Sequence, residues 1–491
     1  MRLADIMRQL PAMAGPARGW DAVAHLDIAG VTADSRQVVP GDLFAALPGL
    51  HADGRSFIAD AVARGAIAIL APTGTEWPPG VPPRPVIIDA EPRQSLARIA
   101  AVLAGPQPET AVAVTGTNGK TSTAEFTRQL WASTGIKAAS LGTLGLIAPG
   151  FDPGPGLTTP DPVSLAETLA GLARHGITKA AIEASSHGLD QFRLDGVSLA
   201  AAAFTNLTRD HLDYHGTLEA YRHAKLRLFE VLLPAKAPAI VHADMDPATF
   251  AALREIAQRR HLDLRTVGER GTRLQLIDAR PRPDGQDLTL LVDGHRKQVM
   301  LNLPGRFQAD NVLVAAALTE ALGLTDVLDR LPVLTGVRGR MERAATLPSG
   351  AVAYVDYAHT PDALERLLTA LRPHTTGRLH VVFGAGGDRD RGKRPLMGQA
   401  AATLADCAIV TDDNPRTEDP ASIRAAIMAA CAGAREIGDR AKAIETALND
   451  LRPGDVLVVA GKGHEQGQTV GKTVLPFDDV SVIRHLMGIV A

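Results

Sequence analysis

Short, uniformly apolar runs separated by amphipathic stretches recur along most of this chain of 491 residues. Ala111-Val112-Ala113-Val114 and Ala180-Ala181-Ile182 read as buried strands, and residues 123–134 between them as a helix. Strands alternating with helices predict a parallel sheet whose ligands gather at the carboxyl ends of the strands. The pattern changes over 272–303: Leu274-Gln275-Leu276-Ile277, Leu288-Thr289-Leu290-Leu291 and Val299-Met300-Leu301 nearly alternate, with polar turns between them, and predict an antiparallel addition. After a helix expected over 311–322, strands resume at Ala353-Tyr354-Val355-Asp356, Leu379-His380-Val381-Val382-Phe383, Ala408-Ile409-Val410 and Val456-Leu457-Val458-Val459-Ala460.

A Pro/Gly break at Gly105-Pro106-Gln107-Pro108-Glu109 marks one boundary and the region of Gly336 a second. The expectation is an α/β protein of three domains, 1–107, 108–336 and 337–491. The first ten residues mix charges into their apolar positions and predict an amphipathic helix, not a signal peptide. No run approaches the ~20 apolar residues of a membrane span.

Composition narrows the partners. Lys+Arg 51 against Asp+Glu 54 leaves a net charge of −3, with no basic field for nucleic acid, so small molecules held locally are expected. Cys407 and Cys431 cannot build a disulfide framework or a zinc site, and a reducing cytoplasm is the simple reading.

Chemistry concentrates after two of the strands. Thr115-Gly116-Thr117-Asn118-Gly119-Lys120-Thr121 follows a strand and opens a helix, where backbone N–H groups and the helix dipole favour a phosphate. Lys120 would reach the outer phosphates and Thr121 would offer its hydroxyl to Mg²⁺. Val114 stands where the usual pattern has its first glycine, so an ordinary strand-to-helix turn is the competing reading. Glu183 ends the next strand before Ala184-Ser185-Ser186-His187, and a hard carboxylate there suits Mg²⁺. Downstream, the acid- and histidine-rich stretch 206–215 leads into Tyr221-Arg222-His223-Ala224-Lys225. A cation beside a metal–nucleotide site is electrostatically awkward unless its charge is inverted.

The phosphate loop, the Glu183-Ala184-Ser185-Ser186-His187 strand end, the 206–214 loop, the Tyr221-x-x-Ala224-Lys225 segment and Asp356-Tyr357-Ala358-His359-Thr360-Pro361, in this order, resemble the Mur ligase family. The resemblance covers the whole chain. It implies a small N-terminal domain for a uridine-nucleotide sugar, a central P-loop ATPase domain with a mostly parallel sheet, and a Rossmann-like C-terminal domain for an amino acid. The implied reaction is ATP- and Mg²⁺-dependent: meso-2,6-diaminopimelate is joined, through an acyl phosphate, to the D-Glu γ-carboxylate of UDP-MurNAc-L-Ala-D-Glu, a peptidoglycan precursor. Alternatives are an L-lysine-adding homologue, a folylpolyglutamate-synthase-like ligase, or a nucleotide-gated binding protein without catalysis.

The resemblance also implies roles residue by residue. Gly116, Thr117, Asn118, Gly119, Lys120, Thr121 and Ser122, with Asn311 and Arg343, would hold ATP; His359 joins Lys120, Glu183, His211 and Lys225 among catalytic residues. Thr121 and Glu183 would bind one Mg²⁺, and His211 with a CO₂-derived carbamate on Lys225 a second. Ser35, Leu50, His51 and Ala52 would meet the uridine nucleotide, and Thr158, Thr159, Ser185, Gln191 and Arg193 the muramoyl dipeptide. Asp413-Asn414-Pro415-Arg416, with Arg389, Gly461 and Glu465, would select diaminopimelate, whose second carboxylate suits an arginine fork. A plain turn is the competing reading of Asp-Asn-Pro-Arg. The expected protein is a cytoplasmic monomer.

Overall fold

The apolar runs become sheet cores in the computed structural model, which describes residues 1–9, 25–49, 52–151 and 157–489. Leu10, Leu50 and His51 lie outside the described residues. Packing divides the chain into two units, Met1–Thr266 with Ala317–Leu324, and Val267–Ala316 with Thr325–Ala491.

The first unit opens with a four-stranded parallel sheet: β1 (Val31–Thr32), β2 (Leu43–Ala45), β3 (Ala68–Pro72) and β4 (Val86–Asp89), in that order. Its core of Leu43, Leu70, Ile87 and Ile99 reaches Ala166, so the Pro92–Ala104 and Pro162–Arg174 helices pack together. Next come β5 (Thr110–Thr115), β6 (Ala138–Gly142), β7 (Gly145–Ile147), β8 (Lys179–Glu183), β9 (Leu199–Phe204) and β10 (Pro238–His242), ordered β10-β9-β5-β8-β6-β7. All these pairs are parallel except the β6–β7 hairpin. Val112, Ala113 and Val114 are fully buried, as a strand covered on both faces requires. Local chemistry sets the helix starts. Asp161 accepts the N–H groups of Val163 and Ser164, with Pro162 at the first helical position.

In the second unit β11 (Asp263–Gly268), which begins just before it, leads to an antiparallel meander of β12 (Leu274–Arg282), β13 (Gly285–Val292) and β14 (His295–Leu301). The antiparallel expectation for 272–303 is met. Eight further strands follow: β15 (Glu342–Thr346), β16 (Val352–Asp356), β17 (Leu379–Phe383), β18 (Cys407–Val410), β19 (Arg435–Glu436), β20 (Val456–Ala460), β21 (Gly467–Val470) and β22 (Thr473–Pro476). Six form a sheet ordered β15-β16-β20-β17-β18-β19, antiparallel only at β15, while β21 and β22 make a separate hairpin. Beneath the β20 end, fully buried Arg440 pairs bidentately with Asp479 (2.7 and 2.8 Å) and donates to the Ala460 carbonyl.

Two helices begin earlier than the hydrophobic pattern indicates. The helix expected from 123 starts at Lys120, directly after Gly119 (φ +84°), and the one expected from 311 starts at Arg306, after Gly305 (φ +86°). In both, a glycine with positive φ, not the first apolar residue of the periodic run, marks the start. Among the described residues no helix is long and apolar enough to cross a membrane.

Candidate functional site

In the first unit the candidate residues lie where parallel strands end. β5 runs into the phosphate loop at a position that only glycine fits: Gly116 has φ +140°, and a Cβ there would strike the Thr205 hydroxyl after β9. The segment after β9 clasps the loop. Asn206 accepts the Asn118 N–H through Oδ1 (3.0 Å) and donates Nδ2 to the Asn118 carbonyl (3.1 Å), and Thr117 N–H donates to the Asn206 carbonyl (2.8 Å). Lys120 Nζ turns back onto the Gly116 and Thr117 carbonyls (3.0 and 2.8 Å), while Thr121 and buried Ser122 occupy the first helical turn.

Lys225 approaches the same loop from the Leu218–Arg227 helix. It is 1% exposed, donates to the Gly116 carbonyl (2.8 Å) and lies 4.4 Å from the centre of the Tyr221 ring. Among the described residues it has no ion pair with a carboxylate. Burial, and then the Lys120 ammonium, push its pKa well below the usual lysine value, with Asp210 opposing. Burial also lifts the Tyr221 phenol to about 12, partly offset by its hydrogen bond to the Thr117 hydroxyl.

Glu183, at the end of β8, is buried and accepts both the N–H and the hydroxyl of Thr143 (2.8 and 3.3 Å). Gly142 makes that approach possible, since a Cβ there would run into the carboxylate. The Thr143 hydroxyl also meets Thr158 (3.0 Å), and Thr159 bonds both the Glu183 carbonyl (2.8 Å) and Ser185 (3.0 Å). Arg193 holds the Thr159 carbonyl (2.6 Å) and Gln191 (2.7 Å). One connected network therefore joins Glu183 to Thr158, Thr159, Ser185, Gln191 and Arg193. Sequence reasoning missed Thr143, which reaches it only through the β6–β7 hairpin.

His211 is half-exposed, with φ +50°, and its ring sits 4.9 Å from that of His187 and 6.2 Å from that of Tyr221. It belongs to an aromatic cluster with His187, Tyr214 and His215, and has no direct bond to Lys225. Farther back, Ser35 is buried at the start of a 3₁₀ turn after β1, and Ala52 is exposed.

In the second unit the residues again cluster at strand ends. His359 follows β16, Arg389 follows β17, 413–416 follow β18, and Gly461 and Glu465 follow β20, all on the carboxyl side of neighbouring parallel strands. Asn414 donates Nδ2 to Glu465 (2.9 Å), and Pro415 is buried beside it. Arg416 adopts φ +51° and donates to the Gly387 carbonyl (2.8 Å); Arg389 is exposed. A Cβ at Gly461 (φ +117°) would press on the Asp413 carboxylate. The His359 ring bonds the Tyr357 carbonyl (2.9 Å) and packs edge-on against the Tyr357 ring (4.5 Å between centres), and its own carbonyl accepts from Lys393. Asn311 is buried in the Arg306–Ala321 helix, whereas Arg343 projects exposed from β15. Among the described residues no group of three or more His, Cys, Asp or Glu is arranged to hold a metal ion.

Known proteins resemble the chain in sequence and fold. Residues 27–103 match the profile of the Mur ligase family, catalytic domain, residues 114–319 the Mur ligase middle domain and residues 339–463 the Mur ligase, glutamate ligase domain. The chain is 56% identical over 473 residues to the UDP-N-acetylmuramoyl-L-alanyl-D-glutamate–2,6-diaminopimelate ligase of Caulobacter vibrioides, covering 94% of this chain and 96% of that protein. The ligase of the same name from Rhizobium meliloti is 52% identical, covering 99% and 100%. A solved structure of a UDP-N-acetylmuramoyl-L-alanyl-D-glutamate–2,6-diaminopimelate ligase superposes with a TM-score of 0.74 at 34% identity, over 99% of both chains.

Proposed function

Because the chain belongs to the Mur ligase family, we propose that it is the ATP-dependent amide-bond ligase that joins meso-2,6-diaminopimelate to the D-Glu γ-carboxylate of UDP-MurNAc-L-Ala-D-Glu. The observation that carries this reading is the near-full-length identity above 50% with two diaminopimelate-adding ligases. It supports a division of labour among 1–107 for the nucleotide sugar, 108–336 for ATP and 337–491 for the amino acid.

A carboxylate and an amine do not condense in water, so the carboxylate is activated first. The D-Glu γ-carboxylate attacks the γ-phosphorus of ATP, the bond to the bridging oxygen breaks, and ADP leaves behind an acyl phosphate. The neutral amine of diaminopimelate then attacks the acyl carbon; the carbon–oxygen bond to phosphate breaks, and phosphate and a proton depart. The first step brings anions together, and positioned positive charge is the main aid. Lys120 supplies part of it, with the backbone of 116–119 and the hydroxyls of Thr121 and Ser122 around the phosphates. By the family resemblance Asn311 and Arg343 would bind the nucleotide and His359 would be catalytic.

The donor chemistry fits Mg²⁺. Thr121 and the buried Glu183 carboxylate offer hard oxygens, and His211 with Lys225 would hold a second ion. Bound there, Mg²⁺ would supply charge neutralisation between phosphate and carboxylate. As an ammonium Lys225 cannot hold a cation; as a carbamate it can. Carbamate forms when an unprotonated amine adds CO₂ and releases a proton, and the depressed pKa of Lys225 favours that amine. The network around Glu183 suits the muramoyl dipeptide, through Thr158, Thr159, Ser185, Gln191 and Arg193. Ser35, Leu50, His51 and Ala52 would meet the uridine end. Arg416 and Arg389 offer guanidinium groups to the second carboxylate of diaminopimelate, beside Asp413, Asn414, Pro415, Gly461 and Glu465. A cytoplasmic monomer acting on small molecules, not nucleic acid, completes the reading.

ADP release tests it. Turnover should require both UDP-MurNAc-L-Ala-D-Glu and meso-diaminopimelate, and the product mass should be their sum less water. ADP release that ignores the nucleotide dipeptide would refute the assignment.

A further inference from the structure

We propose that Lys462 is a positioning residue for the amino-acid substrate: its buried ammonium fixes the orientation of Asn414 and Glu465 so that both present the correct groups to diaminopimelate. This rests on the reading above that 413–416 and 461–465 receive that substrate. Lys462 itself cannot touch it, being fully buried. Its Nζ donates to Asn414 Oδ1 (3.0 Å) and pairs with Glu465 Oε2 (3.3 Å) and Asp413 Oδ1 (3.6 Å).

Hydrogen-bond polarity then settles how the Asn414 amide lies. Oδ1 also accepts the Thr469 N–H from the β21 strand (2.9 Å), so two donors converge on it, and Nδ2 donates to Glu465 Oε2 (2.9 Å). A flipped amide would set its NH₂ against an ammonium and a backbone N–H, and its oxygen against a carboxylate, losing all three bonds. Lys462 thereby commits Glu465 Oε2 to the protein and leaves Oε1 for a substrate ammonium. The hairpin closes the same loop from the other side: Gln468 donates to the Asp413 carbonyl (2.7 Å), Arg416 N–H to the Thr469 carbonyl (3.1 Å) and Gly471 N–H to the Arg416 carbonyl (2.7 Å). Gly461 (φ +117°) and Gly463 (φ +55°) give the backbone the turn that puts Lys462 beneath these groups.

Steady-state kinetics of the full-length enzyme separates positioning from mere stability. Lys462→Met should raise the KM for meso-diaminopimelate on the order of 10- to 100-fold, the range for groups that orient a binding residue, with the KM for the nucleotide dipeptide shifted about twofold or less. Lys462→Met combined with Asn414→Ala should raise that KM less than the product of the two single effects, because both act on the same network. Should Lys462→Met fail to fold, Lys462→Arg keeps the charge but cannot place it at the ammonium position, and should still raise the diaminopimelate KM. An unchanged diaminopimelate KM, or equal losses for both substrates, overturns the proposal if Asn414→Ala still raises that KM. If Asn414→Ala also leaves it unchanged, the amino-acid-site reading fails, and the proposal with it.

Discussion

Lys225 and Lys462 are buried to nearly the same depth, 1% and 0% exposed, in opposite company. Lys462 sits among Glu465, Asp413 and the Asn414 carbonyl oxygen, so its charge is matched. Lys225 has a backbone carbonyl, an aromatic face and a second lysine nearby, and its pKa falls well below the ordinary value. Burying an unmatched charge costs far more than burying a matched one, and this disfavours the charged form of Lys225. Lys462 is placed to hold its neighbours still, whereas unmatched Lys225 is the residue proposed to carry the carbamate. Depth alone separates neither.

The comparison breaks most visibly at Lys225. Lys225→Ala should lower kcat on the order of 100- to 1,000-fold, as removal of a charge-stabilising group at the reacting centre does. Added short-chain carboxylates should restore part of it, because they would stand in for the proposed carbamate. Absence of any recovery counts against that carbamate. Gly142→Ala comes next: its methyl would displace the Glu183 carboxylate, with a kcat loss on the order of 100-fold and little change in the diaminopimelate KM. Arg416→Ala should do the reverse, raising the diaminopimelate KM about 10- to 100-fold through loss of a charged hydrogen bond while nucleotide use persists. Equal effects on both substrates would remove Arg416 from the amino-acid edge.

The smallest effect concerns pH. Burial first, then Arg340 and Arg338, hold His464 down to about 4 from 6.5. The unfolded chain takes up this proton near 6.5 and the folded protein only near 4, so the His464 contribution to stability is complete above 6.5 and is lost as pH falls toward 4. Denaturation midpoints of His464→Asn should therefore drop less than those of the parent between those pH values. Parallel midpoints would remove His464 from the account.

The two edges were not equally legible in the sequence. Gly116, Lys120 and Thr121 stand out because a backbone cradle for phosphate needs its residues contiguous in the chain, and Glu183 because a carboxylate closing an apolar run is conspicuous. Strand order was readable only as far as alternating strands and helices imply a parallel sheet. Thr143 was invisible, since its link to Glu183 depends on β6 pairing with β8 across 40 residues. The matched charge of Lys462 was hidden for the same reason: its partners at 413 and 414 are some 48 residues away along the chain. Pattern reveals contiguous chemistry, while pairing across a sheet must be seen.

One competition assay bears most directly on the central claim. The enzyme is supplied with ATP, Mg²⁺, UDP-MurNAc-L-Ala-D-Glu and equal concentrations of meso-diaminopimelate and L-lysine, and the nucleotide products are resolved by mass. The account predicts the diaminopimelate adduct in large excess, with ADP formed in equal amount. Equal adducts of the two amino acids, or a predominance of lysine, would contradict it.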